Sequence, residues 1–382
     1  MKVLLGLSGG VDSAIAAYLL KEQGYDVTCC FMRNWDSLIN NDLLGNPDIN
    51  NDICPQEKDY NDALQVAKQL GLELKRIDFV KEYWDNVFNN FITEYKHGRT
   101  PNPDILCNKY IKFDSFLNYA LKEGYDMIAT GHYAKVVHQK DGSFLLRSVD
   151  TNKDQTYFLA QISQLALSKT LFPLGDVTKP QVREIAEKLD LVIAKKKDST
   201  GICFIGERNF RKFLQNYIPA QDGVIKDVVT NEIVGQHVGV MYYTNGQRKG
   251  LNLGGCTTPY YVCGKDVDKN ILYVANVEHD IWLKSDKCLV KGVNWFNKPI
   301  DNNFSCSAKF RYRGLDYDVH VEIIDEDSIE LSYPQLVENV TIGQQAVIYN
   351  DQFCLGGGVI DQVYLNNLNF EERRKNYEEK CA

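Results

Sequence analysis

The sequence predicts an α/β protein in which a parallel-sheet domain is followed by two small β-rich domains. Strand-like and helix-like runs alternate through the first part of the chain, which is typical of a parallel sheet with helices on both faces. Near residues 210–220 the pattern changes to short strands separated by Asp-Gly, Asn-Gly and Gly-Gly pairs, as in small β-barrels or sandwiches. The length of 382 residues also exceeds what one ordinary domain needs.

The first domain is predicted to contain four strands and three helices. The strands are residues 2–7, 25–31, 72–77 and 125–130, and the helices are residues 12–23, 57–70 and 80–95. Residues 36–55 are rich in Asn, Asp, Gly and Pro, so they form either an ordered insertion or a mobile loop. In a parallel sheet of this kind, ligands bind beyond the carboxyl ends of the strands.

The remaining elements follow from turn and helix-start signals. A hairpin is predicted over residues 136–146 with an Asp-Gly turn, and a helix over residues 180–189 with Pro180 in its first turn. We expect domains at residues 1–207, 208–280 and 281–362, and residues 363–382 form a charged helix or a frayed tail.

Composition excludes several classes of protein. A hydrophobic fraction of 44% and a charged fraction of 25% are those of a globular protein. No apolar run approaches the roughly 20 residues that span a bilayer, and the start does not resemble a secretory signal, so we expect a cytoplasmic protein with no membrane partner. The eleven cysteines are therefore expected to be mostly reduced, and without a C-x-x-C pair we expect no metal site. Six of them lie in apolar or strand-like runs and are predicted to be buried: Cys29, Cys30, Cys263, Cys288, Cys306 and Cys354.

A glycine-rich loop lies between the first strand and the first helix. Two adjacent glycines let backbone N–H groups approach an anion, hydroxyls add donors, and the helix N-terminus contributes a positive dipole. Asp12 is placed to cap the helix and to help position a magnesium ion. The alternative is a turn with a capping Asp and no ligand. The loop consists of Gly6, Leu7, Ser8, Gly9, Gly10, Val11, Asp12 and Ser13.

Two cysteines lie in distinctive settings. Cys107 follows two prolines, and a helical stretch is predicted from Asn108, so a helix N-terminus would lower the pKa of this thiol. Cys203 follows a run of three lysines at residues 195–197, which would also favour the thiolate. Taken singly, each cysteine is more often a structural thiol. Asp104 is placed to act as a general acid or base, or alternatively to cap the helix.

The string SGGVDS resembles the PP-loop of the ATP pyrophosphatases, which split ATP between the α and β phosphates and adenylate a substrate. The resemblance implies an adenine nucleotide alpha-hydrolase-like fold for residues 1–207, and ATP with Mg²⁺ on the loop. It also implies that Met32 contacts the adenine and that Gly131 lies at the ATP. The G-x-x-x-x-G-K-[ST] pattern is absent, which disfavours γ-phosphoryl transfer.

The strings PNPDILCN, ATGHYA, KDQTYFLA and STGICFIGER follow in order and closely resemble the tRNA-specific 2-thiouridylase family. The resemblance implies ATP-dependent adenylation of the 2-oxygen of a wobble uridine in tRNA, and then replacement of that oxygen by sulfur with release of AMP. Cys203 would carry a persulfide received from a sulfur-relay protein. Cys107 would be the nucleophile that attacks it, or would close a disulfide with Cys203 afterwards.

The same resemblance implies contacts with tRNA, and we expect the enzyme to be a monomer. The formal net charge of −8 opposes indiscriminate binding of nucleic acid, although local basic clusters such as Lys195–Lys197 could supply contacts. The segment at the target base is Asn102, Pro103 and Asp104, and the other implied tRNA contacts are His132, Lys153, Asp154, Gln155, Arg311, Tyr312 and Gln344.

Four other interpretations stay open on the sequence alone. The chain could be another adenylating PP-loop ligase, such as an NAD, GMP or argininosuccinate synthetase, which needs neither Cys107 nor Cys203. It could thiolate tRNA through an iron–sulfur cluster held by Asp104 and the two cysteines, an option that we do not favour. It could also be a nucleotide-sensing RNA-binding module without catalysis, or an α/β protein of another role.

Overall fold

The computed structural model describes residues 1–49, 55–140, 142–198, 201–203, 205–254 and 258–381. Asp141 in the predicted hairpin turn and residues 50–54 of the predicted segment 36–55 lie outside the described residues. The described part of that segment packs against the chain after residue 207, where Arg208 pairs with the buried Asp42 at 2.8 Å. Residues 36–49 are thus a packed insertion.

Five parallel strands form the first sheet, in the order β3-β2-β1-β4-β7. Their bounds are β1 Lys2–Gly6, β2 Asp26–Arg33, β3 Glu73–Asp78, β4 Met127–Ala129 and β7 Thr170–Leu171. The central strand is buried after its first residue, with no exposure of Val3, Leu4 or Leu5, as expected for a sheet covered on both faces. The predicted alternation and the parallel sheet are confirmed.

In the part of the chain that the structure describes, nine α-helices accompany this sheet, and two π-helical segments join four of them without a break. The helices are α1 Val11–Glu22, α2 Pro55–Leu70, α3 Val80–Tyr83, α4 Asn89–Lys96, α5 Pro103–Cys107, α6 Phe116–Lys122, α7 Thr156–Leu159, α8 Gln164–Ser168 and α9 Lys179–Lys188. The π-helical segments are Trp84–Phe88, between α3 and α4, and Asn108–Ser115, between α5 and α6.

The predicted hairpin forms from β5 Lys135–Gln139 and β6 Gly142–Leu146. Its second strand has a partner that the sequence did not predict, because β6 pairs with the last strand of the C-terminal barrel through Leu145 and Leu146. The first domain and the barrel therefore share a continuous sheet.

A four-stranded sheet follows helix α10, Phe210–Gln215, in the order β10-β11-β8-β9. Two 3-10 turns, Val240–Tyr242 and Val277–Leu283, flank its later strands. The strands are β8 Gly223–Asp227, β9 Ile233–His237, β10 Tyr260–Asp266 and β11 Ile271–Asn276.

Six antiparallel strands form a closed barrel, because β12 pairs with both β15 and β17. The strands are β12 Lys284–Trp295, β13 Asn303–Lys309, β14 Tyr317–Ile323, β15 Ser328–Glu338, β16 Gln345–Asn350 and β17 Phe353–Tyr364. Helix α11, Phe370–Cys381, then returns to the four-stranded sheet, where the ring of Phe370 lies 5.7 Å from that of Tyr273. The predicted fold class is confirmed.

Within the described residues, no helix has the length and apolar character needed to cross a membrane. Five of the six cysteines predicted to be buried are buried, and Cys306 is half-buried. One continuous apolar core contains residues from the first domain, the four-stranded sheet and the barrel, including Tyr157, Val262 and Val347. This shared core fixes the position of the helix that ends at Cys107.

Candidate active site

The glycine-rich loop is closed by hydrogen bonds between its two serines. The Ser13 hydroxyl accepts a bond from the Ser8 amide at 3.1 Å, lies 3.1 Å from the Ser8 hydroxyl and donates to the Gly10 carbonyl. The first N–H groups of α1 have no partner within the helix, so they are available to an anion at this loop. This arrangement suits the phosphates of a nucleotide.

Glycine is required at two positions around the loop. Gly9 has a φ of +74°, and a Cβ there would lie 2.3 Å from the Asp59 carbonyl oxygen of α2. A Cβ on Gly131 would lie 2.7 Å from the amide nitrogen of Ser13. Gly131 therefore allows the chain after β4 to pack directly against the loop.

Asp12 does not cap α1, contrary to the prediction. The N-cap is Gly10, and no side chain caps the helix. The Asp12 carboxylate instead accepts a bond from the Tyr133 hydroxyl at 2.7 Å and from the Lys179 ammonium at 2.7 and 2.8 Å. The prediction failed because this carboxylate finds cationic and hydroxyl partners from distant parts of the chain.

Met32 lies at the carboxyl end of β2 and is 8% exposed. A Cβ on Gly6 would lie 2.9 Å from its terminal methyl carbon, so the Met32 side chain covers the end of β1. This position borders the loop and suits contact with a flat apolar group.

The two cysteines singled out by the sequence lie together. The Cys107 thiol donates to the Cys203 sulfur, with the two sulfurs 3.7 Å apart, and both are free thiols. Cys107 is not at a helix N-terminus, however, which corrects the prediction. Helix α5 begins at Pro103 with Asn102 as its N-cap, so Cys107 lies inside a helical run that continues through the π-helical segment.

The pKa values of the two thiols are shifted in opposite directions. Burial raises the pKa of Cys107 well above its ordinary value. The hydrogen bond from Cys107 lowers the pKa of Cys203, and the charge of Lys112 lowers it further against the opposing effect of burial. Of the pair, Cys203 is therefore the first to become a thiolate, with the Cys107 thiol as its donor.

Lys112 is the cation of this site, in place of the predicted lysine run. Burial alone would lower the pKa of Lys112, but the neighbouring thiols and the Asp104 carboxylate raise it, so the ammonium stays charged. In the lysine run, Lys196 is engaged elsewhere, because its ammonium bonds the Gly9 carbonyl and the carboxylates of Asp59 and Asp62.

The backbone at Cys203 is held on both sides. Its amide donates to the Asp104 carboxylate at 3.0 Å, and its carbonyl accepts from the Tyr83 hydroxyl at 2.9 Å. Burial raises the pKa of Asp104, although the bond from Cys203 opposes the shift. The N-cap of α5 is Asn102, so the alternative interpretation, in which Asp104 caps this helix, is wrong.

His132 is buried just after β4, near enough to Lys112 to feel its charge. It is 8% exposed, and its Nδ1 lies 2.7 Å from the Thr130 hydroxyl. Burial, together with the charge of Lys112, holds the pKa of His132 well below its ordinary value, so the ring is neutral. A ligand base would have to enter the site to reach it.

The segment Lys153, Asp154 and Gln155 is partly structural. Asp154 is buried and accepts bonds from the Ser148 amide at 3.0 Å and the Thr156 hydroxyl at 2.7 Å. Gln155 accepts from the Tyr133 amide at 2.9 Å. Lys153 is the member of the segment that lies at the surface, where its ammonium pairs with the Asp198 carboxylate.

The predicted contacts in the β domains lie at domain junctions. Gln344 donates to the Thr100 carbonyl at 2.7 Å, just before α5. Arg311 donates to the Asn245 carbonyl, between β9 and β10, at 3.4 Å and to the Asn339 carbonyl within the barrel at 2.7 Å, and the ring of Tyr312 lies 4.3 Å from that of Phe158. These side chains therefore join the barrel to its neighbours.

The residues at the thiols do not fit an iron–sulfur cluster. Such clusters are generally held by four thiolates, or by two thiolates and two histidines. Here two thiols face each other, and the Asp104 carboxylate is turned to the Cys203 amide. Over the described ranges, no group of three or more His, Cys, Asp or Glu side chains could hold a metal ion.

Sequence reasoning missed Lys112, Tyr83, Tyr133 and Lys179. Lys112 lies five positions after Cys107 within the predicted helical stretch, and this spacing was the available signal. Tyr133 directly follows His132, but nothing local indicated that its hydroxyl would reach Asp12. No local pattern could have assigned Lys179 to the loop.

Sequence models of three protein families match successive parts of the chain. The model described as "tRNA methyl transferase HUP domain" matches residues 1–207. Those described as "tRNA methyl transferase PRC-barrel domain" and "Aminomethyltransferase beta-barrel domain" match residues 211–276 and 285–360. Together they cover the three parts of the fold.

Curated relatives match nearly the whole chain. The tRNA-specific 2-thiouridylase MnmA of Mycoplasma mycoides subsp. mycoides SC is 60% identical over 370 residues, which cover 95% of this chain and 99% of the relative. The protein of the same name from Bacillus cereus is 50% identical over 365 residues, covering 95% of each chain. Among solved structures, a 4-thiouridine synthetase in complex with RNA and ATP matches at 13% identity and a TM-score of 0.33, over 54% of this chain and 46% of its own. That score is too low to support an argument.

Proposed function

Because the chain belongs to the tRNA-specific 2-thiouridylase family, we propose that it catalyses ATP-dependent 2-thiolation of a wobble uridine in tRNA. The domain descriptions name a methyl transferase, but the relatives that match almost the full length are named thiouridylases. Two facing thiols suit sulfur transfer, whereas methyl transfer gives them no role. The observation that carries the proposal is the 3.7 Å distance between the sulfurs of Cys107 and Cys203.

ATP activates the uracil in the first step. The N–H groups of the loop from Ser8 to Ser13 hold the polyphosphate, and the 2-oxygen of uracil attacks the α phosphorus and expels pyrophosphate. Mg²⁺ usually binds through one or two carboxylates plus substrate phosphates, and Asp12, one-third exposed at the loop, fits that role. When bound together with ATP, the Mg²⁺ ion would neutralise part of the phosphate charge. The carbonyl oxygen of uracil is a poor leaving group, and adenylation allows it to leave as part of AMP.

Sulfur arrives through Cys203. Its thiolate attacks the terminal sulfur of a persulfide on a relay protein, which leaves as a thiolate, and Cys203 becomes a persulfide. The lowered pKa of Cys203 supports this order, because the thiolate is the attacking species.

Transfer to the base consumes the second thiol. The terminal persulfide sulfur attacks C2 and expels AMP, and Cys107 then attacks the Cys203 sulfur, which releases 2-thiouridine and leaves a Cys107–Cys203 disulfide. Alternatively, Cys107 attacks first and releases hydrosulfide, which then attacks C2. Both routes end in the same disulfide, and an external dithiol must reduce it before the next turnover. Asp104 would exchange protons with the base or with Cys107.

The remaining expectations belong to the same proposal. They are a cytoplasmic monomer, the domain limits 1–207, 208–280 and 281–362, and tRNA contacts through the residues that the resemblance implied. His132 and Asp154 are buried, so their contacts with tRNA require the base to enter or the segment to move. An anticodon base must leave its stack to reach such a site.

The test separates activation from sulfur transfer. Cys107→Ser and Cys203→Ser should each abolish formation of 2-thiouridine, measured by mass spectrometry of tRNA incubated with ATP and a persulfide donor. Both should keep tRNA-dependent exchange of pyrophosphate into ATP. Cys306→Ser, a half-buried thiol on the barrel, is the matched control and should retain both activities. Full thiolation by either site variant would refute the proposal.

A further inference from the structure

A cavity of about 390 Å³ lies where the first domain, the four-stranded sheet, the barrel and α11 meet. This volume and this position are typical of small-molecule sites, which occur preferentially at domain interfaces. Its walls include Gly98, before α5, Lys265 of β10, Thr341 of the barrel and Arg373 of α11. His97, also in the wall, is exposed, so the cavity is open to solvent.

Four lysine and arginine side chains of the described residues line the cavity, and two of them have carboxylate partners. Arg99 pairs with Asp361, and Lys284 pairs with Asp280 at 2.6 Å. The other two, Lys265 and Arg373, form no ion pair within the described residues. The cavity therefore contains two positive charges that the protein itself does not neutralise.

The partners of these two cations are neutral groups. The Lys265 ammonium donates to the Gly98 carbonyl at 2.7 Å, and burial lowers the pKa of Lys265 to about 7. The Arg373 guanidinium donates to the Ile281 carbonyl at 2.8 Å and lies 4.8 Å from the centre of the Trp282 ring. Burial lowers the pKa of Arg373 as well, although Cys263 and Asp286 oppose the shift. A desolvated cation without an opposite charge is costly, and a bound anion would remove that cost.

Close packing of α11 on β10 brings the two cations to one cavity. A Cβ on Gly264 would lie 2.1 Å from the ring of Phe370, the first residue of α11. Lys265 directly follows this contact on β10, and Arg373 lies three positions after Phe370, on the same face of the helix. The arrangement thus depends on two packed elements, as expected for a built site.

We infer that this cavity binds a small phosphate-bearing molecule of the sugar phosphate class, with Lys265 and Arg373 holding its phosphate group. Lysine and arginine bind phosphates through charge-assisted hydrogen bonds, and one dianion would neutralise both cations. The cavity is larger than a phosphate ion, and the side-chain amides of Asn245 and Asn369 in its wall suit hydroxyl groups. An RNA backbone would need an open groove that follows the strand. The site lies apart from the glycine-rich loop and does not depend on the proposed function.

Chemical labelling of Lys265 tests the site in the unaltered protein, with ribose 5-phosphate as the probe. Acetic anhydride acylates uncharged amines, so the lowered pKa makes Lys265 reactive at neutral pH, and peptide mass spectrometry measures the rate. Ribose 5-phosphate should slow this labelling severalfold, because the phosphate covers the ammonium and keeps it charged. Ribose should have no effect. Lys269, exposed in the turn after β10, is the internal control and should react at an unchanged rate.

Binding of ribose 5-phosphate is then measured by calorimetry, with the glycine-rich loop saturated by an ATP analogue that has a methylene bridge between the α and β phosphates. Lys265→Met and Arg373→Met should each weaken binding about tenfold, since a charge-assisted bond is lost. Lys265→Arg keeps the charge and should retain most of the affinity. Lys375→Met, at an exposed position of α11, is the matched control and should bind as the parent does.

Three results would overturn the inference. The first is labelling of Lys265 that ribose 5-phosphate leaves unchanged, or that ribose slows equally. The second is parent-like affinity in both Lys265→Met and Arg373→Met, which would place the probe elsewhere. The third is protection of Lys265 by tRNA and not by ribose 5-phosphate, which would assign the two cations to an RNA backbone.

Discussion

The pairing of Cys107 and Cys203 shows how single residues set chemical roles. Both are thiols in one contact, yet one is fully buried and the other is half-buried beside Lys112. The desolvated Cys107 thiol stays protonated and donates a hydrogen bond, whereas Cys203 is deprotonated first. The division into sulfur acceptor and resolving thiol that we propose would thus be a consequence of position.

Lys112 should control the pH dependence of Cys203 reactivity. Its positive charge favours the thiolate, so Lys112→Met raises the pKa of Cys203, and at neutral pH the thiolate fraction falls. We expect the alkylation profile of Cys203 to move to higher pH by about one unit, since an opposite charge at contact distance is worth that much or more. Iodoacetamide labelling followed by peptide mass spectrometry measures the profile. Lys112→Arg, which keeps the charge, should stay close to the parent, and an unmoved profile in Lys112→Met would contradict the assignment.

Packing between elements places the loop as much as its own sequence does. Gly131, just after β4, touches the backbone of Asp12 and Ser13, where a Cβ would lie 2.7–2.9 Å from three backbone atoms. Backbone cannot move aside as a side-chain tip can. The strand end and the start of α1 are therefore a single packed unit.

Gly131→Ala should push the loop away from the sheet. Overpacking of this kind typically costs about 1–3 kcal/mol, and here it should appear as a lower unfolding midpoint and weaker ATP binding together. Gly254→Ala is the control, because a Cβ there meets no atom of the described residues within 4 Å. Calorimetric unfolding and nucleotide titration measure both effects. Parent-like nucleotide affinity in Gly131→Ala would show that the contact does not position the loop.

Elements were predictable from sequence where local pattern determines them. The alternation of β1, α1 and β2 follows from apolar periodicity, and the loop between them from its glycines. The start of α5 was missed although Asn102 and Pro103 form a cap and a favourable first residue, because proline was taken to exclude a helix. The pairing of β6 with β17 was not predictable, since it joins strands far apart in the chain.

At the scale of the whole molecule, the barrel is built into the catalytic domain. Asn294 of β12 donates to the carbonyls of Ala160 and Ile162 at 2.9 Å each, and the Tyr157 hydroxyl donates to the Gln345 carbonyl at 3.0 Å. Such bonds between side chains and carbonyls fix orientation more strictly than apolar contact alone. The pair Cys107 and Cys203 was identifiable from sequence motifs, but this frame around it depends on contacts among all three domains.

Gln161 is the centre of this junction, and its removal should separate the barrel from the active-site helix. Its buried amide nitrogen donates to the carbonyls of Gly292 and Gly357, and its oxygen accepts from Lys109 in the π-helical segment at 3.0 Å. Gln161→Leu leaves these buried groups without a partner, which should cost about 2–4 kcal/mol.

We therefore expect a lower thermal unfolding midpoint for Gln161→Leu, measured by calorimetry, and a higher KM for tRNA in the thiolation assay. Affinity for the ATP analogue should be unchanged, because the glycine-rich loop lies in another part of the first domain. Gln352→Leu, in the exposed turn between β16 and β17, is the matched control and should behave as the parent. If Gln161→Leu unfolded at the parent temperature, the barrel would be held mainly by its apolar core, and the polar bonds at Gln161 would contribute little to domain orientation.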